Sequence, residues 1–306
     1  MSGNYRAAFP GGLSVPVAYK ASPIKRRRAT KAEMEDRAAF FIAYAMAHGP
    51  VTVRGLYYQA EVAGIPGIDK TESGYAKTQI QVLKLRREGR MPYSKIADAT
   101  RYMRRPRTFD GWEDALQATA RLYRKSLWAG SGYEVEIWLE KSALAGVVQP
   151  VTFEYDVPLM PTGGYSSETF AFEAVDDLRG TGKTLVIYSL YDFDRSGKDA
   201  ERSLQEKVER FGRELGVPVI FNALGLNAEQ VETLRLPTRP HKRNTPADRA
   251  WPYDYACELD AIPPDTLRQM VRQAIERHLP ASELEALKQI ERAERETLMN
   301  FIKGAA

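Results

Sequence analysis

From Tyr133 to Leu224 the apolar positions switch between two periods. YEVEIWLE at 133–140 has a strand pattern, and the run beginning TLVIYSL at 184 is apolar, rich in β-formers and too short for an independent helix. They read as buried strands, the second (184–193) as the central one. Around them the pattern predicts a helix at 141–155, a strand at 157–162, a Gly163-Gly164-Tyr165 turn and a helix at 167–178. A helix at 197–215 and a strand at 217–224 (VPVIFNAL) follow. Such alternation predicts an α/β domain whose mostly parallel, Rossmann-like sheet has helices on both faces.

The flanks keep the helical period. KAEMEDRAAFFIAYAMAHG starts at Lys31 and stops at Gly49-Pro50, Val51-Thr52-Val53-Arg54 leads into Gly55-Leu56-Tyr57-Tyr58-Gln59, and residues 73–90 form a further amphipathic stretch. Followed by the short extended piece Met91-Pro92-Tyr93, this order predicts a winged-helix module. The chain thus divides into an arm (1–30), a winged-helix domain (31–108), a linker helix (109–131), the α/β domain (132–262) and C-terminal helices (263–306). Within these bounds, RRPRTFDG at 104–111 reads as the linker and 112–129 as its helix. The terminal pair, 264–279 and 281–302, either caps the core or serves a subunit contact.

Charge changes the picture more than composition does. The net charge of +4 and the pI near 8.9 are only mildly basic, but the cations are clustered. Lys77, Lys84, Arg86, Arg87, Arg90, Lys95, Arg101, Arg104, Arg105 and Arg107 are opposed by only Glu88 and Asp98, and Tyr75, Tyr93 and Tyr102 are interleaved. A solvated helix face is the plain reading; a footprint on double-stranded DNA is the functional one. Lys25-Arg26-Arg27-Arg28, closing the arm, poses the same choice. One cysteine, Cys257, excludes an intramolecular disulfide framework and fits a reducing cytoplasm. No apolar run reaches membrane-spanning length, and three scattered histidines give no zinc spacing. RGTGKT at 179–184 lacks the first glycine of a phosphate-binding loop and precedes a strand, so no ATP site is expected.

The candidate chemistry lies at strand ends. Asp192 and Asp194 follow the central strand at its carboxyl end, where open α/β sheets bind ligands. Two carboxylates this close repel unless a cation lies between them, and hard oxygen donors suit Mg²⁺ or Mn²⁺. An ordinary strand-to-helix turn with Asp194 or Ser196 as N-cap is the alternative. Glu140 ends the earlier strand in the same way, about fifty residues upstream, enough for two crossovers. A Glu followed by Asp-x-Asp in this order resembles a Toprim domain, the metal-binding module of topoisomerases, primases and some nucleases.

Arg54-Gly55-Leu56-Tyr57-Tyr58 resembles the basic-aromatic motif of the topoisomerase VI A subunit and its meiotic double-strand-break relative. Gly55 stands where that motif usually has Asp. The likeness extends through Glu140-Lys141-x-Ala143-Leu144, Gly164-Tyr165 and Asp192-x-Asp194-x-Ser196-Gly197, covering most of 31–262. The short chain is most similar to the compact phage- and plasmid-borne mini-A forms of this type IIB family. The resemblance implies Tyr58 as nucleophile, Glu140, Asp192 and Asp194 as metal ligands, and a homodimer. It implies a DNA topoisomerase that cuts through a 5′-phosphotyrosine link without ATP; an ATPase B subunit is compatible but not implied. Arg54, one helical turn before Tyr58, is placed to assist it. The short linker favours Tyr58 of one subunit meeting the carboxylates of the other. Two alternatives remain: a Toprim endonuclease that hydrolyses DNA without the tyrosine, and a non-catalytic DNA-binding accessory protein.

Overall fold

The central apolar run has two apolar faces, and the chain buries both. The computed structural model describes residues 29–97, 106–279 and 281–305. Four strands, β1 (Tyr133–Leu139), β2 (Leu159–Pro161), β3 (Thr184–Leu190) and β4 (Val219–Gly225), form one parallel sheet in the order β2-β1-β3-β4. Val135, Ile137 and Leu139 of β1, with Val186, Tyr188 and Leu190 of β3, point into one core, shared with helix α5 (Ser142–Glu154). Trp138, Leu185 and Ile187 point into the other, under α6 (Glu168–Asp176) and α7 (Arg195–Leu215). Burial on both faces is why β3 lacks polar-apolar alternation, whereas β1 keeps it at Glu134 and Glu136.

The register sets the functional edge. Leu139 lies opposite Leu190, so β1 and β3 end level and Glu140 N donates to Leu190 O at 3.0 Å. From β1 the chain steps outward to β2 on one side, then returns past β1 to β3 on the other. The edge between β1 and β3 is therefore the topological switch point. Beyond Leu190, Phe193 leaves the sheet and bridges antiparallel to Cys257, with N–H···O distances of 2.8 and 3.0 Å. That bridge brings the segment 257–262 across the sheet edge.

The amino-terminal helices are α1 (Lys31–His48), α2 (Val53–Val62) and α3 (Glu72–Arg87). Thr30 and Glu33 form a capping box on α1, and Thr52 and Thr71 cap α2 and α3. Where the sequence predicts an extended wing, the described residues give a 3₁₀ turn at Tyr93–Lys95 and a single parallel bridge, Val51 to Ile96. Residues 98–105, with Arg101, Arg104 and Arg105, lie outside the described residues, as does the basic end of the arm.

Helix α4 spans Trp112–Leu122, shorter than the 112–129 expected. The pattern continues past Leu122 because Leu127 and Trp128 are buried, but they are buried by tertiary packing: Trp128 Nε1 donates to Tyr155 O at 2.8 Å. Next come α8 (Ala228–Thr233), a two-residue hairpin of β5 (Arg239–Pro240) and β6 (Tyr255–Ala256), and the short α9 (Pro246–Arg249) between them. This hairpin and helix order part of the loop expected at 237–254. Helix α10 (Pro264–Glu276) buries Leu267, Val271, Ala274 and Ile275 in the α5-side core and so caps it. Its Arg268 donates to His48 O at 2.6 Å, tying α10 to the end of α1. The last helix, α11 (Ala281–Ala305), meets α4 and the segment behind it, where Lys125 Nζ contacts Glu294 at 2.9 Å. No helix among the described residues is long and apolar enough to cross a membrane.

Candidate active site

Helix α7 starts where it does because Asp194 caps it: Gly197 N donates to Asp194 Oδ1 at 2.8 Å. The N-cap alternative is thus the observed geometry, and it leaves Asp194 Oδ2 free to meet Arg239 Nη2 at 2.8 Å. Asp192 is buried; Leu259 N donates to its Oδ1 at 2.8 Å and Lys141 Nζ lies 2.9 Å from its Oδ2. Glu140 Oε2 accepts from Asp192 N at 3.1 Å. Gly197 allows this closeness, since a Cβ there would lie 2.5 Å from Asp192 O and 3.3 Å from Glu140 Oε2. Glu140, Asp192 and Asp194 therefore share one edge, as their strand-end positions predict.

Glu258 and Asp260 join them, and sequence reasoning passed both over. Lys141 Nζ lies 3.1 Å from Glu258 Oε2 and 3.2 Å from Asp260 Oδ2. Glu258 Oε1 accepts from Arg54 Nη1 at 3.2 Å, and Arg239 Nε stands 3.6 Å away. Asp260 Oδ1 accepts from Thr52 Oγ1 at 2.5 Å, and Gln59 Nε2 donates to Ala261 O at 3.3 Å. Segment 257–262 thus clamps α2 to the sheet edge. Gly55 suits the contact: a Cβ there would already stand 3.2 Å from Thr52 Oγ1 and 3.5 Å from Asp260 O.

This clamp ties the tyrosine helix to Glu258 and Asp260 within one chain. Tyr58 is 8% exposed and packs against Tyr57. Arg54 lies over the Tyr75 ring, 4.2 Å from its centroid. Burial pushes the Tyr58 phenol well above its ordinary pKa and the charge of Glu258 adds to this, while Arg54 and Lys141 pull it down. Burial likewise raises the Glu140 carboxyl, helped by the negative charges of Asp192 and Asp194. Burial works against the Lys141 ammonium, but the charges of Asp192, Asp260 and Glu258 outweigh it and keep the group protonated. The buried Cys257 thiol is pushed up to about 12 and is inert.

The donors at this edge, Glu140, Asp192 and Asp194, are hard oxygens, so their chemistry fits a divalent ion such as Mg²⁺. Among the described residues, however, no group of three or more His, Cys, Asp and Glu side chains is arranged to hold a metal. Lys141 and Arg239 hold the outer oxygens of the two aspartates.

The basic stripe of α3 is only partly free. Arg90 pairs with Glu35, Lys84 lies 3.6 Å from Glu88, Lys77 donates to Gly67 O at 3.0 Å, and Arg86 stacks on Tyr93. Arg87 is exposed beside Leu83 and Ile80, which are 43% and 69% exposed. No protein-family model matches the chain, and no curated protein matches it.

Proposed function

We propose that this chain is a DNA-cleaving enzyme of the topoisomerase VI A-subunit type, acting through Tyr58 with a divalent metal at Glu140, Asp192 and Asp194. In this reading α1–α3 serve as a winged-helix DNA-binding module, 132–262 as a Toprim domain, and Lys77, Lys84, Arg86, Arg87, Arg90, Arg104 and Arg105 as phosphate contacts. The observation that carries the proposal is the clamp: Arg54, one turn from Tyr58, and Lys141, next to Glu140, share the two oxygens of Glu258.

The step balances without a co-reactant. Tyr58 Oη attacks a backbone phosphorus, the bond from phosphorus to the 3′ oxygen breaks, and the phenol proton leaves to solvent while the 3′ oxygen gains one. The product holds the 5′ phosphate on Tyr58, so the bond energy is kept and the cut can be resealed. A bound divalent ion would supply charge compensation at the phosphate and the leaving oxygen. Arg54 is placed to favour the phenolate, offsetting burial and Glu258. A homodimer would supply one tyrosine per strand.

Incubation with supercoiled plasmid and Mg²⁺ or Mn²⁺, without ATP, followed by denaturation with and without protease, tests the proposal. Protein-linked 5′ ends that vanish with Tyr58→Phe, Asp192→Ala or EDTA are expected. Free ends in Tyr58→Phe, cut at the parental rate, would establish the hydrolytic nuclease, a reading favoured by the burial of Tyr58. Mixing Tyr58→Phe with Asp192→Ala subunits then shows which carboxylates each tyrosine uses. Nicked plasmid means the partner's, and no cutting means its own.

A further inference from the structure

Each aspartate of the Asp192-x-Asp194 pair divides its two oxygens in the same way. One oxygen accepts a backbone N–H, from Leu259 on Asp192 and from Gly197 on Asp194, both at 2.8 Å. The other faces a cationic side chain, Lys141 at 2.9 Å on Asp192 and Arg239 at 2.8 Å on Asp194. The two cations are not held alike. Lys141 has two more carboxylates in contact range, Glu258 at 3.1 Å and Asp260 at 3.2 Å. Arg239 has Glu258 at 3.6 Å, beyond hydrogen-bond length, and sits on the two-residue strand β5, just before the exposed Lys242 and Arg243. The oxygen of Asp194 that a divalent cation needs is therefore covered by the more loosely held cation, on a short edge strand that leads into a basic surface.

We propose that Arg239 is an exchangeable counter-ion: a divalent cation taking Asp194 Oδ2 releases the guanidinium, which then binds a phosphate of the DNA backbone. The inference rests on the reading of this edge as a metal site and deepens it, because it makes metal and DNA bind with positive coupling. A guanidinium fork that fits a carboxylate fits a phosphate equally well, so the exchange keeps Arg239 paired with an oxyanion throughout. With DNA absent, the metal must displace Arg239 without a new partner for it. With DNA present, the phosphate takes the guanidinium and the metal binds more easily. Reciprocity then requires Mg²⁺ to tighten DNA binding by the same factor.

The test uses the full chain carrying Tyr58→Phe, so that no covalent product forms. Mg²⁺ binding is titrated by calorimetry, and affinity for a short duplex is measured by fluorescence anisotropy in EDTA and in saturating Mg²⁺ at constant ionic strength. Without Arg239 changes, Mg²⁺ is expected to tighten duplex binding roughly 5–150-fold, the usual range of such coupling. Adding Arg239→Gln should tighten Mg²⁺ binding in the absence of DNA and reduce the coupling to about twofold or less. Adding Arg239→Lys, which keeps the charge and guards against a folding failure, should retain intermediate coupling. An Arg239→Gln chain with the parental coupling, or with unchanged Mg²⁺ affinity, overturns the proposal. Absence of Mg²⁺ binding in every chain overturns the metal reading as well, whereas the covalent-attachment assay judges Tyr58 separately.

Discussion

Replacing Lys141 with Met removes the ammonium that faces Asp192, Glu258 and Asp260 while keeping most of its packing volume. The three carboxylates are 10%, 12% and 4% exposed, so their repulsion is only partly screened. At an effective dielectric near 20, a unit-charge pair about 3 Å apart attracts by roughly 5 kcal/mol, much of it offset by the desolvation of the ammonium. Breaking a buried ionic cluster by deleting one partner has a net cost of about 3–5 kcal/mol. For a chain of 306 residues that lowers the melting temperature by roughly 5–8 °C. The loss should shrink with acid. Burial already raises the Asp192 carboxyl and Lys141 opposes this, so without the ammonium it rises further; its cost is full above that raised value and fades below the unfolded value, about pH 4. Mg²⁺ should also restore part of the loss, about 2.7 kcal/mol at a hundredfold excess over its dissociation constant. Thermal melts by circular dichroism in EDTA, with and without Mg²⁺, read all three effects. A Lys141→Met chain that melts within about 2 °C of the parent in EDTA at neutral pH refutes the reasoning.

Two further outcomes follow from neighbouring geometry. Glu136 is pushed up to about 7 by burial, with Glu134 and Asp177 adding to this and Trp138 Nε1, at 2.6 Å, opposing it. Its folded pKa exceeds its unfolded one, so its stabilising proton is fully held below about pH 4.5 and lost as pH rises through 7. Glu136→Gln should therefore stabilise the chain by at most about 3 kcal/mol above pH 8 and change little near pH 4.5, as urea unfolding at the two pH values would show. Gly197→Ala puts a Cβ 2.5 Å from Asp192 O, a contact that only a backbone shift relieves. It should lower stability by about 1–3 kcal/mol and abolish DNA cleavage even where circular dichroism shows the fold retained.

Much of this arrangement is legible in the sequence because it is local. Short β-rich runs bounded by turns give β1, β3 and β4 to within a few residues, and Gly49-Pro50 marks the end of α1. Glu140, Asp192 and Asp194 are legible for the same reason. Each follows a strand, and the parallel register that levels Leu139 with Leu190 brings their positions to one edge.

Glu258 and Asp260 are not legible in this way, because nothing local distinguishes them from acidic residues before any Pro-rich helix start. Their place is fixed by the Phe193–Cys257 bridge, a contact across more than sixty residues that has no periodic signature. The same long-range step decides the state of Tyr58. The proposed role for it is that of a nucleophile, yet only the packing of segment 257–262 reveals an anionic neighbour that opposes ionisation. Reaction through Tyr58 therefore requires the charge at Glu258 to be answered by more than Arg54. The nearby cations are Lys141, engaged by three carboxylates, and Arg239, shared with Asp194. In the proposed reaction, a divalent cation on the aspartates would leave Lys141 to Glu258 and Asp260 while Arg239 passes to a phosphate, so activation of Tyr58 would depend on filling that edge.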